Sequence, residues 1–239
     1  MQIVIPDMIV TTTVSEDWYR KATRNFAFSL YETEDTIEKL KAENHGVEYI
    51  AGKYNRGGLP HEHKAIFRDM SHFNEVKQQL LQQAEVAPFG EPCFAYRETI
   101  TQAVTAKGIF AHQTSCPGHY AHIILTVAPV AQQNVLFFTV ERDPALEKTL
   151  SEPLPQDGIE KEIQAMLIGI RREALCGGHQ GYPVTGVEVR LRATGQHPVD
   201  TRISDFTVAA QIAFRNAIEE VAAYVIEPLR SDDSSSLER

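Results

Sequence analysis

The chain has 239 residues, 43% hydrophobic and 23% charged, the balance of an ordinary globular protein with room for one large domain or two small ones. Lys and Arg total 23 against 32 Asp and Glu, a formal net charge of −9, which argues against an unaided basic face for duplex nucleic acid. No apolar run approaches the roughly 18 residues of a membrane span. The start, Met1-Gln2-Ile3-Val4-Ile5-Pro6-Asp7, has neither a basic leader nor a long apolar core, so no membrane partner and a cytoplasmic setting are expected. Cys93, Cys116 and Cys176 are odd in number and widely spaced, which favours reduced thiols.

Taken in order, the chain opens with a β-like run, Met8 to Val14, rich in β-branched residues. Ser15, followed by Glu16 and Asp17, has the pattern of an N-cap for a helix reaching about Leu30. A further helix is expected over Thr36 to Ala42 and a short strand over Val47 to Ala51, stopped by the breaker Arg56-Gly57-Gly58-Leu59-Pro60. The Gln-rich stretch Glu75 to Gln83 reads as helical, and Ala84 to Pro92, with two prolines and a glycine, reads as a boundary. Residues 1–83 are thus expected to form a small α+β region.

From Cys93 onward the pattern turns to β. Phe94 to Ile100, Gly108 to Phe110, Ala121 to Val127 and Val135 to Val140 read as an antiparallel meander. Ile159, Ile163, Met166, Leu167, Ile170 and Ala174 recur at intervals of three and four, a helix closed by Gly177-Gly178. Val187 to Arg192 alternates apolar with Glu188, Arg190 and Arg192, a strand with one dry and one wet face. Ser204 is expected to cap a long helix reaching Tyr224, stopped by Pro228. Residues 230–239, polar and Ser-rich, read as a disordered tail. The whole is α+β, a sheet covered by two helices.

Pro92-Cys93-Phe94-Ala95-Tyr96-Arg97-Glu98-Thr99-Ile100, Gly118-His119-Tyr120-Ala121-His122, Gly181-Tyr182-Pro183-Val184 and His197-Pro198-Val199-Asp200 follow one another in an order and spacing that resemble domain IV of translation elongation factor G. Phe206 to Pro228 resembles that domain's last helix and exit. The likeness covers residues 84–229 and implies a two-layer domain of sheet and helices, a fold shared with the second domain of small-subunit ribosomal protein five. Residues 1–83 are similar in strand and helix order to a diverged domain III, which is ferredoxin-like in that family. The family's GTPase needs Gly-x-x-x-x-Gly-Lys-Ser/Thr to cradle phosphates. The nearest approach, Gly46 to Gly52-Lys53-Tyr54, has five residues between the glycines and a tyrosine where Mg²⁺ needs a hydroxyl of Ser or Thr. No nucleotide, no cofactor and no enzymatic activity are therefore expected: the chain reads as a tip-bearing module without its motor, stopping where domain V would begin.

In the family, domain IV enters the decoding region of the small ribosomal subunit, and two loops form its tip. The tip histidine falls on His197, flanked by Gly195 and Gln196, with Arg192 on the strand behind. The second loop falls on Gly118, His119 and Tyr120. The resemblance implies that the loop residues among these seven contact ribosomal or other structured RNA, where shape and 2′-hydroxyls are readable, and Arg192 is expected to join them on the local charge balance. The second loop departs from the family's Gly-rich, Arg-containing pattern, with Cys116-Pro117 before the glycine and His119 where the family has glutamine. Pro198 replaces an aspartate after the tip histidine. Over residues 163–202 five arginines face three carboxylates, a modest basic bias within an acidic chain, although Arg190 and Arg192 also suit the plain role of solvating the wet face of a strand.

Two rival readings remain at this level. The charged tip can serve a protein partner or self-association instead of RNA. Alternatively, His112, Cys116, His119 and His122 supply imidazole and thiol ligands for a metal- or thiol-dependent enzyme. Against a metal there, His119 and His122 are three apart on a strand and point to opposite faces. His61-Glu62-His63, following the Gly-Gly-Leu-Pro breaker, is expected in an exposed polar loop.

Overall fold

The structure is a computed structural model; it describes residues 2–4, 10–13, 49–54, 60–67, 70–82, 90–94, 96–113, 118–132, 135–176, 182–221 and 223–226. The helices expected over 16–30 and 36–42, the Gly177-Gly178 stop and the tail from 230 lie outside those residues, as does Cys116.

Three sheets organise the described chain. The largest has the order β1 (Gln2–Val4), β9 (Val135–Val140), β10 (Val187–Gly195), β8 (His119–Pro129), β7 (Val104–His112). A four-stranded sheet contains β3 (Tyr49–Tyr54), β4 (Pro60–Phe67), β2 (Val10–Thr13) and β5 (Cys93–Phe94), and a pair joins β11 (Ala223–Ile226) to β6 (Arg97–Ile100). The helices are α1 (Met70–Gln82), a single turn α2 (Pro144–Glu147), α3 (Glu160–Cys176) and α4 (Ile203–Glu220).

The expected meander is corrected. The hairpin of β7 and β8 is antiparallel, but β10 lies between β8 and β9, antiparallel to the first and parallel to the second. The parallel pair is possible because α2 and α3 provide the long crossover it requires. Val135, Leu136 and Phe138 are buried, as are Val187, Val189 and Leu191 opposite, so both strands gain apolar neighbours on each side. The run from Phe94 to Ile100 likewise divides. Cys93–Phe94 pairs with Val10–Thr11, and Arg97–Ile100 pairs with Ala223–Ile226.

Further differences have local causes. His61-Glu62-His63 belongs to β4, which is flanked by β3 and β2 on either side; the Ala65-Ile66-Phe67 end pairs with both neighbours, and the polar end continues the hairpin with β3 through His63 opposite Gly52 and Glu62 opposite Lys53. The strand expected over 47–51 runs over Tyr49–Tyr54 for the same reason. Helix α4 starts after Arg202 and not after Ser204, because the buried Asp205 closes the first turn, its carboxylate accepting from Arg202 N–H at 2.9 Å, a cap that does not call on the Arg202 guanidinium, which has no acceptor. The helix ends at Glu220. Val221 is extended (φ −108°, ψ 152°), and Ala223–Ile226, aromatic and β-branched, gains a strand partner where the sequence pattern continued a helix.

Helices α3 and α4 lie side by side on one face of the large sheet, with Phe206, Phe214, Met166 and Ile170 almost completely buried between the layers. Burying each such side chain contributes about 1.5–3 kcal/mol. Two glycines set the spacing. A Cβ on Gly108 of β7 would lie 2.0 Å from the carbonyl oxygen of Ala209, and one on Gly169 of α3 2.2 Å from that of Thr207, so backbone meets backbone at both contacts. Ala209, Ala210, Ala213 and Ala217 of α4 are completely buried, the small side chains such close packing needs. The opposite face of the sheet carries a smaller core, Ile124 and Ala193 beneath Leu146 and Leu150 of the segment after β9.

That second core exists because of a β-bulge. Leu191 pairs with Leu125 and Ala193 with Ile124, so Arg192 is the extra residue and the strand's facing inverts after it. Leu191 remains in the core beneath the helices, whereas Ala193 turns to the opposite face.

Candidate nucleic-acid interface at the tip

The inverted end of β10 leads into Gln196 and a closed turn. Thr201 N–H donates to the His197 carbonyl at 3.1 Å, and His197 N–H donates to Thr201 Oγ1 at 2.6 Å. The Thr201 hydroxyl donates onward to the carbonyl of Tyr120 at 2.6 Å. Asp200 completes the clasp between the loops: its Oδ1 accepts from Gly118 N–H at 2.8 Å, and its backbone carbonyl accepts from Tyr120 N–H at 3.1 Å. The loop after α2 supports the other side, with Gln196 N–H donating to the Glu152 carbonyl at 2.8 Å. That loop is in turn tied down by Arg142, which donates to the carbonyls of Leu154 and Pro155 and pairs with Glu147.

The seven residues expected at the tip take different positions on this frame. His197 projects, its side chain 50% exposed. Its Nδ1 faces the Asp200 carboxylate at 3.1 Å and the N–H groups of Val199 and Asp200 at 3.4 and 3.3 Å, while Nε2 has no partner among the described residues. Gln196 is half-buried beside it. Gly195 is buried beneath Leu150, and Gly118 is buried at the Asp200 clasp. Tyr120 is half-buried and joins the loops through its backbone.

His119 turns inward toward the helices. Its Nδ1 lies 2.8 Å from Asp205 Oδ1, and its ring tilts against Phe110 at 5.8 Å. An ionised carboxylate only accepts, so the proton on this side belongs to Nδ1. His122, three residues on, faces the second core beside Leu150, so the expected opposite orientation of the two histidines is observed. Among the described residues, no three His, Cys, Asp or Glu side chains converge as a metal site.

Arg192 sits at the bulge, donating to Asp143 at 3.2 Å and lying 3.3 Å from Glu141; Arg190 pairs with Glu188 and Glu141. The local basic bias is therefore largely offset by carboxylates from another stretch of chain. Asp143 is held below the usual carboxylate range, chiefly by the N–H of Ala145 at the start of α2 and then by Arg192. Exposed surface-type pairs of this kind contribute little to stability.

His122 is shifted down, first by burial and then by the charge of Lys107, and its Nε2 is buried without a hydrogen-bond partner among the described residues. Below its ordinary value of 6.5 the unfolded chain takes up a proton before the folded chain does, so this site's contribution to stability is present above that pH and is lost as pH falls. Thermal unfolding of the native protein should fall in temperature between pH 7.5 and about 5.5. In His122→Leu that part of the pH dependence should disappear; an unchanged profile would contradict the assignment.

Asp200, Thr201 and Asp205 are the residues sequence reasoning passed over. Asp200 stood within a quoted motif, yet nothing local shows that its carboxylate reaches a loop 82 residues away. Val199, 68% exposed at the crest of the turn, was also not singled out.

The family model described as Elongation factor G, domain IV matches residues 92–222. Elongation factor G 2 of Syntrophomonas wolfei is 31% identical over 159 residues, 66% of this chain and 21% of that protein. Elongation factor G of Thermotoga neapolitana is 30% identical over 140 residues, and that of Pseudothermotoga lettingae 32%, each covering 59% of this chain and 19% of the relative. The chain spans about a fifth of the length of these curated relatives. A crystal structure from Thermus thermophilus covers 92% of this chain and 29% of its own, at 20% identity and a TM-score of 0.48. The family match takes in four of the five strands of the helix-covered sheet, β7, β8, β9 and β10, with helices α3 and α4 and the segments 114–118 and 196–201, and the chain belongs to the elongation factor G domain IV family.

Proposed function

We propose that the chain is a non-enzymatic, translation-related module that works in the cytoplasm and binds the small ribosomal subunit, or structured RNA, through its domain IV tip. Residues 84–229 form the arm in this reading and residues 1–83 a smaller companion, a diverged domain III. The observation that carries the proposal is the clasped turn at 196–201. It presents the free edge of the His197 ring from a backbone locked to the neighbouring loop, so little ordering remains to oppose binding. His197 and Gln196 make the contact, Gly195, Gly118, His119 and Tyr120 set its shape, and Arg192, sharing its charge with two carboxylates, contributes less.

The test is co-sedimentation of the purified protein with small ribosomal subunits at low salt. His197→Ala should weaken binding by about 2- to 10-fold, the worth of one hydrogen bond, without changing the melting temperature. No association at any ionic strength would refute the reading. The exposed Val199 and Ile203 beside the turn favour a protein partner as the second reading. Recovery of only ribosomal components in a pull-down would count against it.

A further inference from the structure

Eight arginines lie among the described residues, at 97, 142, 171, 172, 190, 192, 202 and 215. Seven have hydrogen-bond, ion-pair or other electrostatic partners. Arg202 is the exception: the residue is exposed, and its guanidinium has no partner among the described residues. In a chain of net charge −9 this requires an explanation, and the tip supplies one. The two carboxylates nearest in sequence are committed elsewhere, Asp200 to Gly118 N–H and the His197 ring, Asp205 to the backbone N–H of Arg202 and to His119. Arg202 follows directly on Thr201, whose N–H closes the turn onto the His197 carbonyl, so it stands at the exit of that turn. The clasp that shapes the turn thus also leaves a cation at its exit with no carboxylate partner among the described residues.

We infer that Arg202 is a further RNA-contacting residue, binding a backbone phosphodiester while His197 meets the adjacent sugar or base edge. The inference rests on the RNA reading of the tip. A planar guanidinium pairs two N–H groups with phosphate oxygens, a geometry lysine does not reproduce. The phosphate belongs to an RNA strand, either ribosomal RNA or a messenger–tRNA duplex in the decoding region.

The experiment measures binding of the full chain to purified small ribosomal subunits across a potassium chloride series, with vacant subunits in one arm and subunits loaded with messenger and tRNA in the other. Arg202→Ala should weaken binding about tenfold, and the slope of log affinity against log salt should become shallower by about one phosphate contact. Arg202→Lys should keep the slope and recover only part of the affinity. A defect already present on vacant subunits identifies ribosomal RNA as the source; one confined to loaded subunits identifies the messenger–tRNA backbone. If His197→Ala weakens binding while Arg202→Ala matches the native protein in affinity and slope, the role of Arg202 is overturned and the tip reading stands. Failure of the native protein to bind overturns both. A thermal melt of each variant guards against misfolding, and a weakened but destabilised Arg202→Ala would count against the inference if Arg202→Glu, equally folded to the native protein, bound normally.

Discussion

Gly108→Ala is expected to lower the melting temperature by roughly 6–12 °C, the equivalent of about 3 kcal/mol for a chain of this size. The added Cβ would stand 2.0 Å from the carbonyl oxygen of Ala209, 2.4 Å from the amide nitrogen of Ala213 and 2.9 Å from its Cα. All three are helix backbone, so no side chain can rotate away, and α4 must lift from β7. Lifting it strips Phe206 and Phe214 of part of their burial as well. Gly118 gives the contrast, because its added Cβ would meet only ordinary contacts at 3.4 Å, two of them with the Gln113 side chain. Differential scanning calorimetry of Gly108→Ala and Gly118→Ala separates the cases; a native-like melt for the first would mean that α4 does not seat on this strand.

Asp205→Ala should have a comparable effect on stability, about 3 kcal/mol, and an additional one on the tip. The residue is 1% exposed and accepts from Arg202 N–H at 2.9 Å, from His119 at 2.8 Å and from the Ser204 hydroxyl at 3.4 Å. Truncation leaves the helix start and the imidazole without their acceptor, and a buried donor without a partner costs more than the bond was worth. Asp205→Asn, with a single carbonyl oxygen, should fall between the alanine variant and the native protein. Because α4 starts immediately after the clasped turn, Asp205→Ala should also weaken the proposed ribosome association at temperatures where the fold persists. A melting temperature within about 2 °C of the native protein would show that the buried carboxylate is not supporting the helix start.

Much of domain IV was legible from one dimension. The spacing of Ile159 to Ala174 matches α3, and the alternation of Val187 to Leu191 matches the dry face of β10, because burial on one side imposes a period on sequence. The same logic misled at 221–226. Alanine and aromatic residues suit helix or strand there, and a long-range partner, β6, decided the outcome. At β4 the histidine-rich half looked like loop because its strand character depends on neighbours on both sides and not on its own composition.

The candidate site divides along the same line. His197 could be proposed from the sequence because the motif around it is local and in register with three others. The roles of its companions were not, since they depend on contacts across more than 80 residues. His119 and Arg192 have residue types suited to binding RNA, and the fold spends one on Asp205 and the other on Glu141 and Asp143.

Taken alone, the sequence determined the family, the α+β class and the helix-covered sheet, because periodicity and motif spacing are properties of neighbouring residues. Only the tertiary structure decided the strand order, the bulge at Arg192 that turns the end of β10, the clasp of Asp200 on the second loop, and which arginine is left without a partner among the described residues. Each of these depends on which distant groups meet after folding, and the pairing of charges and hydrogen bonds across space has no fixed spacing along the chain.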